Sequence, residues 1–185
     1  MFSLTALMGF LLLSGIPAHA QAPTAPVQPN YTVTLTAYNA VPEQTDGDPF
    51  TTASGSYSNS EVVAARLRDL ADELPFGTII EIVGPTVSNN NCGYNIVAPI
   101  VGYRVIADTM NARYASRIDI LFHTDSNYTM SDGAVKNAGM VLGICNGASI
   151  RVVGYVDITR PNKLPKTQKE LVAIVNGYAN SLAIK

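Results

Sequence analysis

The chain has no tryptophan, two cysteines, two histidines and only 14% charged residues among its 185 positions. Each scarcity excludes something. Without tryptophan, a flat cellulose-binding surface is disfavoured. The net charge is −2 and lysine and arginine form no block. A nucleic-acid binder that works by neutralising phosphates is therefore excluded. No basic amphipathic stretch marks a membrane-surface helix. Two cysteines and one histidine outside the leader, far apart in the chain, make a poor zinc site. No other residue pattern marks a metal or an organic cofactor, so none is expected. No repeat recurs at a fixed period.

What is present is apolar. Hydrophobic residues are 47% of the chain, and nine are tyrosine. That composition and length suit one domain with a sizeable core. The first 20 residues stand apart: "LTALMGFLLLSGIPAHA" is an apolar run ending in Ala18-His19-Ala20. This small-x-small pattern predicts a signal peptide over 1–20, cut before Gln21, and no membrane span once it is removed. No cysteine follows the run, so a lipid anchor is not indicated. Residues 21–30, "QAPTAPVQPN", read as a Pro-rich linker. The expected address is secreted, periplasmic or wall-associated.

Export fits the cysteine count. Cys92 and Cys145 sit in "NNNCGYN" and "GICNGAS". An even count in an exported chain predicts one disulfide. Closing a loop of roughly 50 residues, it should stabilise the fold by about 4 kcal/mol. A cysteine nucleophile would need a histidine partner. Outside the leader the one histidine is His123, and nothing in the sequence ties it to either cysteine.

"YTVTLTAY" (31–38) alternates strictly, with Tyr31, Val33, Leu35 and Ala37 on one face and Thr32, Thr34, Thr36 and Tyr38 on the other. That is a half-buried strand. The long polar stretch 39–60 is a loop of the kind that carries function. "RLRDLADEL" has helical spacing and stops at Pro75. "FGTIIEIVG" is a strand, and "PTVSNNNCGYNIVAP" is a polar loop. "VGYRVIAD" and "RIDILF" are strands joined by "TMNARYAS". In "TMSDGAVKNAGMVLG", Ser131 is a candidate helix cap ahead of Ala134, Ala138 and Met140. "ASIRVVGYVDI" is a further strand. The tail carries Leu171, Ile174, Val175 and Tyr178 on one helical face. About six short strands with few helices point to a small closed barrel or a sandwich, not a doubly wound sheet.

Two of these strands carry aspartates, Asp108 and Asp119. In "RIDILF", Ile118, Ile120 and Phe122 share one face and Arg117, Asp119 and Leu121 the other. Asp119 can thus leave the core and project into a groove, close to Asp108 if the two strands are neighbours. Two carboxylates in one cleft repel, so one stays protonated and can act as a general acid. The alternative is that both cap backbone amides or pair with Arg113 or Arg117.

The blocks "LTAYNAVPEQTDGDPFTTASG", "LPFGTIIEI" and "YRVIADTMNARYASRIDILF" together resemble the three-aspartate (3D) domain. The likeness runs from about Thr34 to Ile158, and all three blocks keep the family's order and spacing. The family includes the catalytic region of membrane-bound lytic transglycosylase A and the stationary-phase muralytic proteins. The resemblance implies a mainly β fold, a six-stranded double-psi β-barrel with short helices, over 31–160. Residues 161–185 form a C-terminal helical tail. It implies a lytic transglycosylase of peptidoglycan that cuts the MurNAc–GlcNAc bond. Asp119 maps onto the usual acid/base catalyst, and Asp108 onto a second family aspartate. The family's early block maps onto Thr36, Ala37 and Tyr38, then Thr52, Ala53, Ser54 and Gly55. Tyr38, Thr52, Thr109 and Arg117 are the expected glycan contacts. Two departures are visible. Met110-Asn111 stands where many catalytic relatives have a glycine pair. The third aspartate does not align without a shift, leaving Asp69, or Asp72, as the candidate. The partner implied is peptidoglycan or another polysaccharide, met by a monomer. Expansins share the barrel, so a non-catalytic glycan-binding or wall-loosening module is the alternative. A purely structural exported domain is a third reading.

Overall fold

The computed structural model describes residues 29–87, 91–110, 115–159 and 163–183. Residues 1–20, read above as a signal peptide, and nearly all of 21–30, read as a linker, lie outside the described residues, as do Asn111 and Arg113.

Six strands close into a mixed barrel. They are β1 (Asn30–Asn39), β2 (Val63–Arg66), β3 (Thr78–Val83), β4 (Arg104–Thr109), β5 (Arg117–Phe122) and β8 (Cys145–Tyr155). Their order around the barrel is β1-β5-β2-β4-β3-β8. Two pairs, β1–β5 and β2–β4, are parallel, and the other pairings are antiparallel. The expected closed six-stranded barrel is therefore the fold. A separate hairpin joins β6 (Asn127–Thr129) and β7 (Val135–Asn137). The helices are α1 (Tyr94–Val101), α2 (Ala138–Leu142) and α3 (Gln168–Ala183).

Alternation decides which side chains fill the barrel. Val33 and Leu35 of β1, and Ile118, Ile120 and Phe122 of β5, are buried in one core with Ile80, Ile106 and Ile150. The opposite face of the same strands feeds a second core. Val63, Ile79, Val105 and Leu121 pack there against Leu171 and Val175 of α3. The predicted apolar stripe of the tail is thus the seam that docks α3 on the barrel. Gln168 fastens its first turn, because its side-chain amide donates to the carbonyls of Glu61 and Tyr103.

Cys92 and Cys145 form the predicted disulfide, with 4.7 Å between their Cα atoms. It pins the segment before α1 to the start of β8. The Gly93 amide donates to the Leu142 carbonyl and the Ile144 amide to the Asn91 carbonyl beside it.

Three local expectations are corrected. "RLRDLADEL" is not an α-helix: Arg66 still belongs to β2, and only a 3₁₀ turn forms, at Arg68–Leu70. β2 finds partners on both sides, so its backbone groups go into ladders instead. The Arg66 side chain turns into the core, donating through Nε to the Leu74 carbonyl at 2.6 Å and lying over the Phe76 ring. The stretch "PTVSNNNCGYNIVAP" is not all loop. It contains most of α1, which buries Val97 and Val101 despite Pro99. Burial outweighs the lost hydrogen bond in so short a helix. Gly102, at φ 57°, then ends α1, so the following strand starts at Arg104. Lastly, Ser131 caps no helix. The segment turns at Gly133 as the β6–β7 hairpin, and α2 begins only at Ala138, capped by the Asn137 side chain accepting from the Gly139 amide.

Candidate active site

β4 and β5 are not neighbours, contrary to the condition on which the two aspartates were expected to meet. β2 runs between them. Ala65 of β2 is paired with Asp119 on one side and with Asp108 on the other. Thr36 of β1 is paired with Asp119 in turn. The outcome is a row across four strands: Thr36, Asp119, Ala65, Asp108. The carboxylates stand two strand spacings apart, about 10 Å between backbones. Only the buried methyl group of Ala65 lies between them in the row.

Asp108 is held by three donors. Its Oδ1 accepts from the Ala53 amide at 2.9 Å and the Thr109 amide at 2.8 Å. Its Oδ2 accepts from the Tyr38 hydroxyl at 2.8 Å. Burial, and then the charge of Asp108, push the Tyr38 phenol well above its ordinary range, so it stays a proton donor. Tyr38 reaches Asp108 from β1 by crossing over β5 and β2. The long loop reaches it from above: the Ser54 amide also donates to the Ala107 carbonyl at 3.0 Å.

Asp119 is placed differently. Its Oδ1 accepts a hydrogen bond from the Thr36 hydroxyl. Burial raises its pKa above the usual carboxylate value, while Thr36 and the Arg117 charge pull it down. The Asp108 charge adds the smallest push. Desolvation, and not the like-charge repulsion expected of two carboxylates in one cleft, is the main cause of the rise. A carboxyl whose pKa burial raises is better suited to donating a proton than an ordinary surface carboxylate.

The remaining candidates separate. Arg117 is half-buried and acts on Asp119 through its charge. Thr109 contributes its backbone amide to Asp108. Thr52 is buried, and its hydroxyl bonds within the loop, to Ser54 Oγ and the Ser56 carbonyl. It shapes the turn that presents the Ala53 amide. Asp69 is exposed and accepts from the Ser116 amide at 2.7 Å. It braces the bend feeding β5, where Ser116 has φ 48°, and it is not in the row. Asp72 is the charge that acts on Arg66.

Sequence reasoning placed Thr36 in a groove-lining block but missed it as the direct partner of Asp119. The signal was available, because strict alternation puts Thr36 and Tyr38 on one face. It also missed the Ala53 amide, for which a loop sequence offers no signal. Among the described residues, no group of three or more His, Cys, Asp or Glu side chains stands together to hold a metal ion. No described helix is long and apolar enough to cross a membrane. No protein-family model matches the chain, and no curated protein matches it either.

Proposed function

We propose that this chain is an exported lytic transglycosylase of the three-aspartate barrel type, with Asp119 as its acid/base. The observation that carries this reading is the contrast between the two carboxyls. Asp108 has both oxygens engaged by the protein, three donors in all. Asp119 has one hydroxyl partner and a pKa raised by burial.

That asymmetry matters for the choice of chemistry. Hydrolysis of a glycosidic bond uses two working carboxyls, one to protonate the leaving oxygen and one to activate water or attack the sugar. A carboxylate already committed to a loop and a tyrosine is poorly free for the second task. Lytic cleavage needs one acid. Asp119 protonates the glycosidic oxygen as the bond from C1 of N-acetylmuramic acid breaks. The 6-hydroxyl of the same sugar bonds to C1, and its proton passes to Asp119. The products are a 1,6-anhydromuramoyl end and a free GlcNAc hydroxyl, with the catalyst restored. The nucleophile is held by its own ring, so its effective concentration is high. Thr36 orients the acid, Arg117 faces it, and Asp108 fixes the loop that roofs the groove. The Cys92–Cys145 bridge fits an oxidising compartment.

The test is digestion of purified peptidoglycan by the wild type and Asp119→Asn, with products read by mass spectrometry. Anhydromuropeptides from the wild type alone support the reading. Water-added products would mean hydrolysis and a second essential carboxyl. Retained wall binding with no products from either protein would make this a glycan-binding module.

A further inference from the structure

The chain has a concave surface that shares no lining residue with the carboxylate row. A cleft of about 730 Å³ opens where β1 and β5 end, with Phe50, Tyr57, Asn59, Glu61, Ile100 and His123 among its walls. That volume lies within the usual range for small-ligand sites. Phe50 and Tyr57 are each 67% exposed. Two aromatic rings left this open beside amide, hydroxyl and carboxylate groups are the chemistry that receives a sugar. A pyranose offers an apolar face of C–H bonds to a ring and a rim of hydroxyls to the polar groups around it.

The cleft is built rather than incidental. Residues 50–58 form a hairpin-like finger: Thr51 bridges Tyr57, the Ser58 amide donates to the Phe50 carbonyl, and the Thr52 amide donates to that of Ser56. Beneath the cleft, Arg104 is buried to 1% exposure. Its guanidinium donates to the carbonyl of Ser60 on one wall and that of Ile100 on the other, both at 2.7 Å. The walls are thus clamped at a set separation.

The finger joins the two sites. Its tip donates the Ala53 amide to Asp108, and its base carries the two exposed rings. Ala53 follows Phe50 by three residues, a reach of at most about 10 Å. β1 makes the same link, since Thr36 and Tyr38 share the outer face and Ala40 reaches the cleft wall. From these connections we infer that the cleft binds the glycan strand on one side of the bond that Asp119 cleaves, a disaccharide's reach from that carboxyl. This inference rests on the proposed function above.

The test uses the full chain carrying Asp119→Asn, with and without Phe50→Ala and Tyr57→Ala together. The probes are peptidoglycan glycan strands stripped of peptide, sorted into disaccharide and hexasaccharide. Affinity is read by calorimetry, and the position of binding by backbone amide shifts. The expected result is hexasaccharide affinity weakened at least about tenfold by the double substitution, with disaccharide affinity moved by less than about twofold. The Tyr57, His123 and Ser126 amides should shift with hexasaccharide. Equal hexasaccharide affinity with and without the rings, or shifts that spare the cleft, would overturn the inference and leave the lytic reading standing. The same holds if no stripped strand binds while the wild type still releases anhydro products. Cleft shifts produced only by free stem peptide would overturn it too. Absence of both binding and turnover would remove both.

Discussion

Removing one oxygen atom, in Tyr38→Phe, tests how the carboxylate row is held together. The phenol ring packs against the second core, and phenylalanine keeps that contact. Only the hydrogen bond to Asp108 Oδ2 is lost. A hydrogen bond to a charged acceptor contributes about 1.5–3 kcal/mol, and an acceptor left without its donor costs most when it is dry. Asp108 is half-buried and keeps the Ala53 and Thr109 amides on its other oxygen. With that partial burial and those remaining donors the low end applies, about 1.5 kcal/mol. For a domain of this size that is a fall in Tm of roughly 3–6 °C. Urea unfolding at pH 7 measures it, and Asp108→Asn with the double variant completes a cycle whose coupling should be about 1–2 kcal/mol. The Ala53 amide should exchange faster in Tyr38→Phe, because the carboxylate that holds it has lost its anchor on β1. Stability within about 0.3 kcal/mol of wild type and zero coupling, small enough for independent sites, would show that the tyrosine–aspartate contact does not organise the groove.

Three further outcomes follow from the same coordinates. Asp119 has a raised folded pKa, so its contribution is fully present below the unfolded value of about 3.9 and is lost as pH rises through the folded value. Asp119→Asn should therefore gain stability relative to wild type between pH 3 and pH 8 in urea titrations; a difference that does not change with pH would refute the burial argument. Replacing both Cys92 and Cys145 with serine should cost about 4 kcal/mol, from the loop that the bridge closes. Urea midpoints with and without reductant on the wild type check this, and a loss below about 1 kcal/mol would mean that the unfolded chain already holds those ends together. Gly77 has φ 92° and lies so close to the Val156 carbonyl that an added Cβ would run into backbone. Gly77→Ala should thus cost at least about 2 kcal/mol, read by thermal unfolding.

Much of this architecture is legible from residue order alone, for a physical reason. A period of two reports which side chains face apart, and "YTVTLTAY" and "RIDILF" carry it without interruption. Their inward and outward sets are the ones observed. Cysteine parity is enough to expect the bridge, and the tail's apolar stripe is enough to name its buried face. Short segments were less legible. α1 and β2 owe their conformations to partners distant in the chain, and in such windows tertiary burial outweighs local spacing.

Residue order places Asp108 and Asp119 on strands and turns Asp119 away from the inner core. Periodicity is a property of one strand, and one strand is all it can describe. That β2 passes between the two carboxyls, with Ala65 as the spacer, is visible in the folded barrel alone. The same is true of Thr36 and Tyr38 reaching them from β1, of burial as the main cause of the raised Asp119 pKa, and of the finger linking Asp108 to the cleft. Parallel pairing joins strands through long crossovers, so lateral neighbours in this barrel are remote in sequence and leave no local pattern to read.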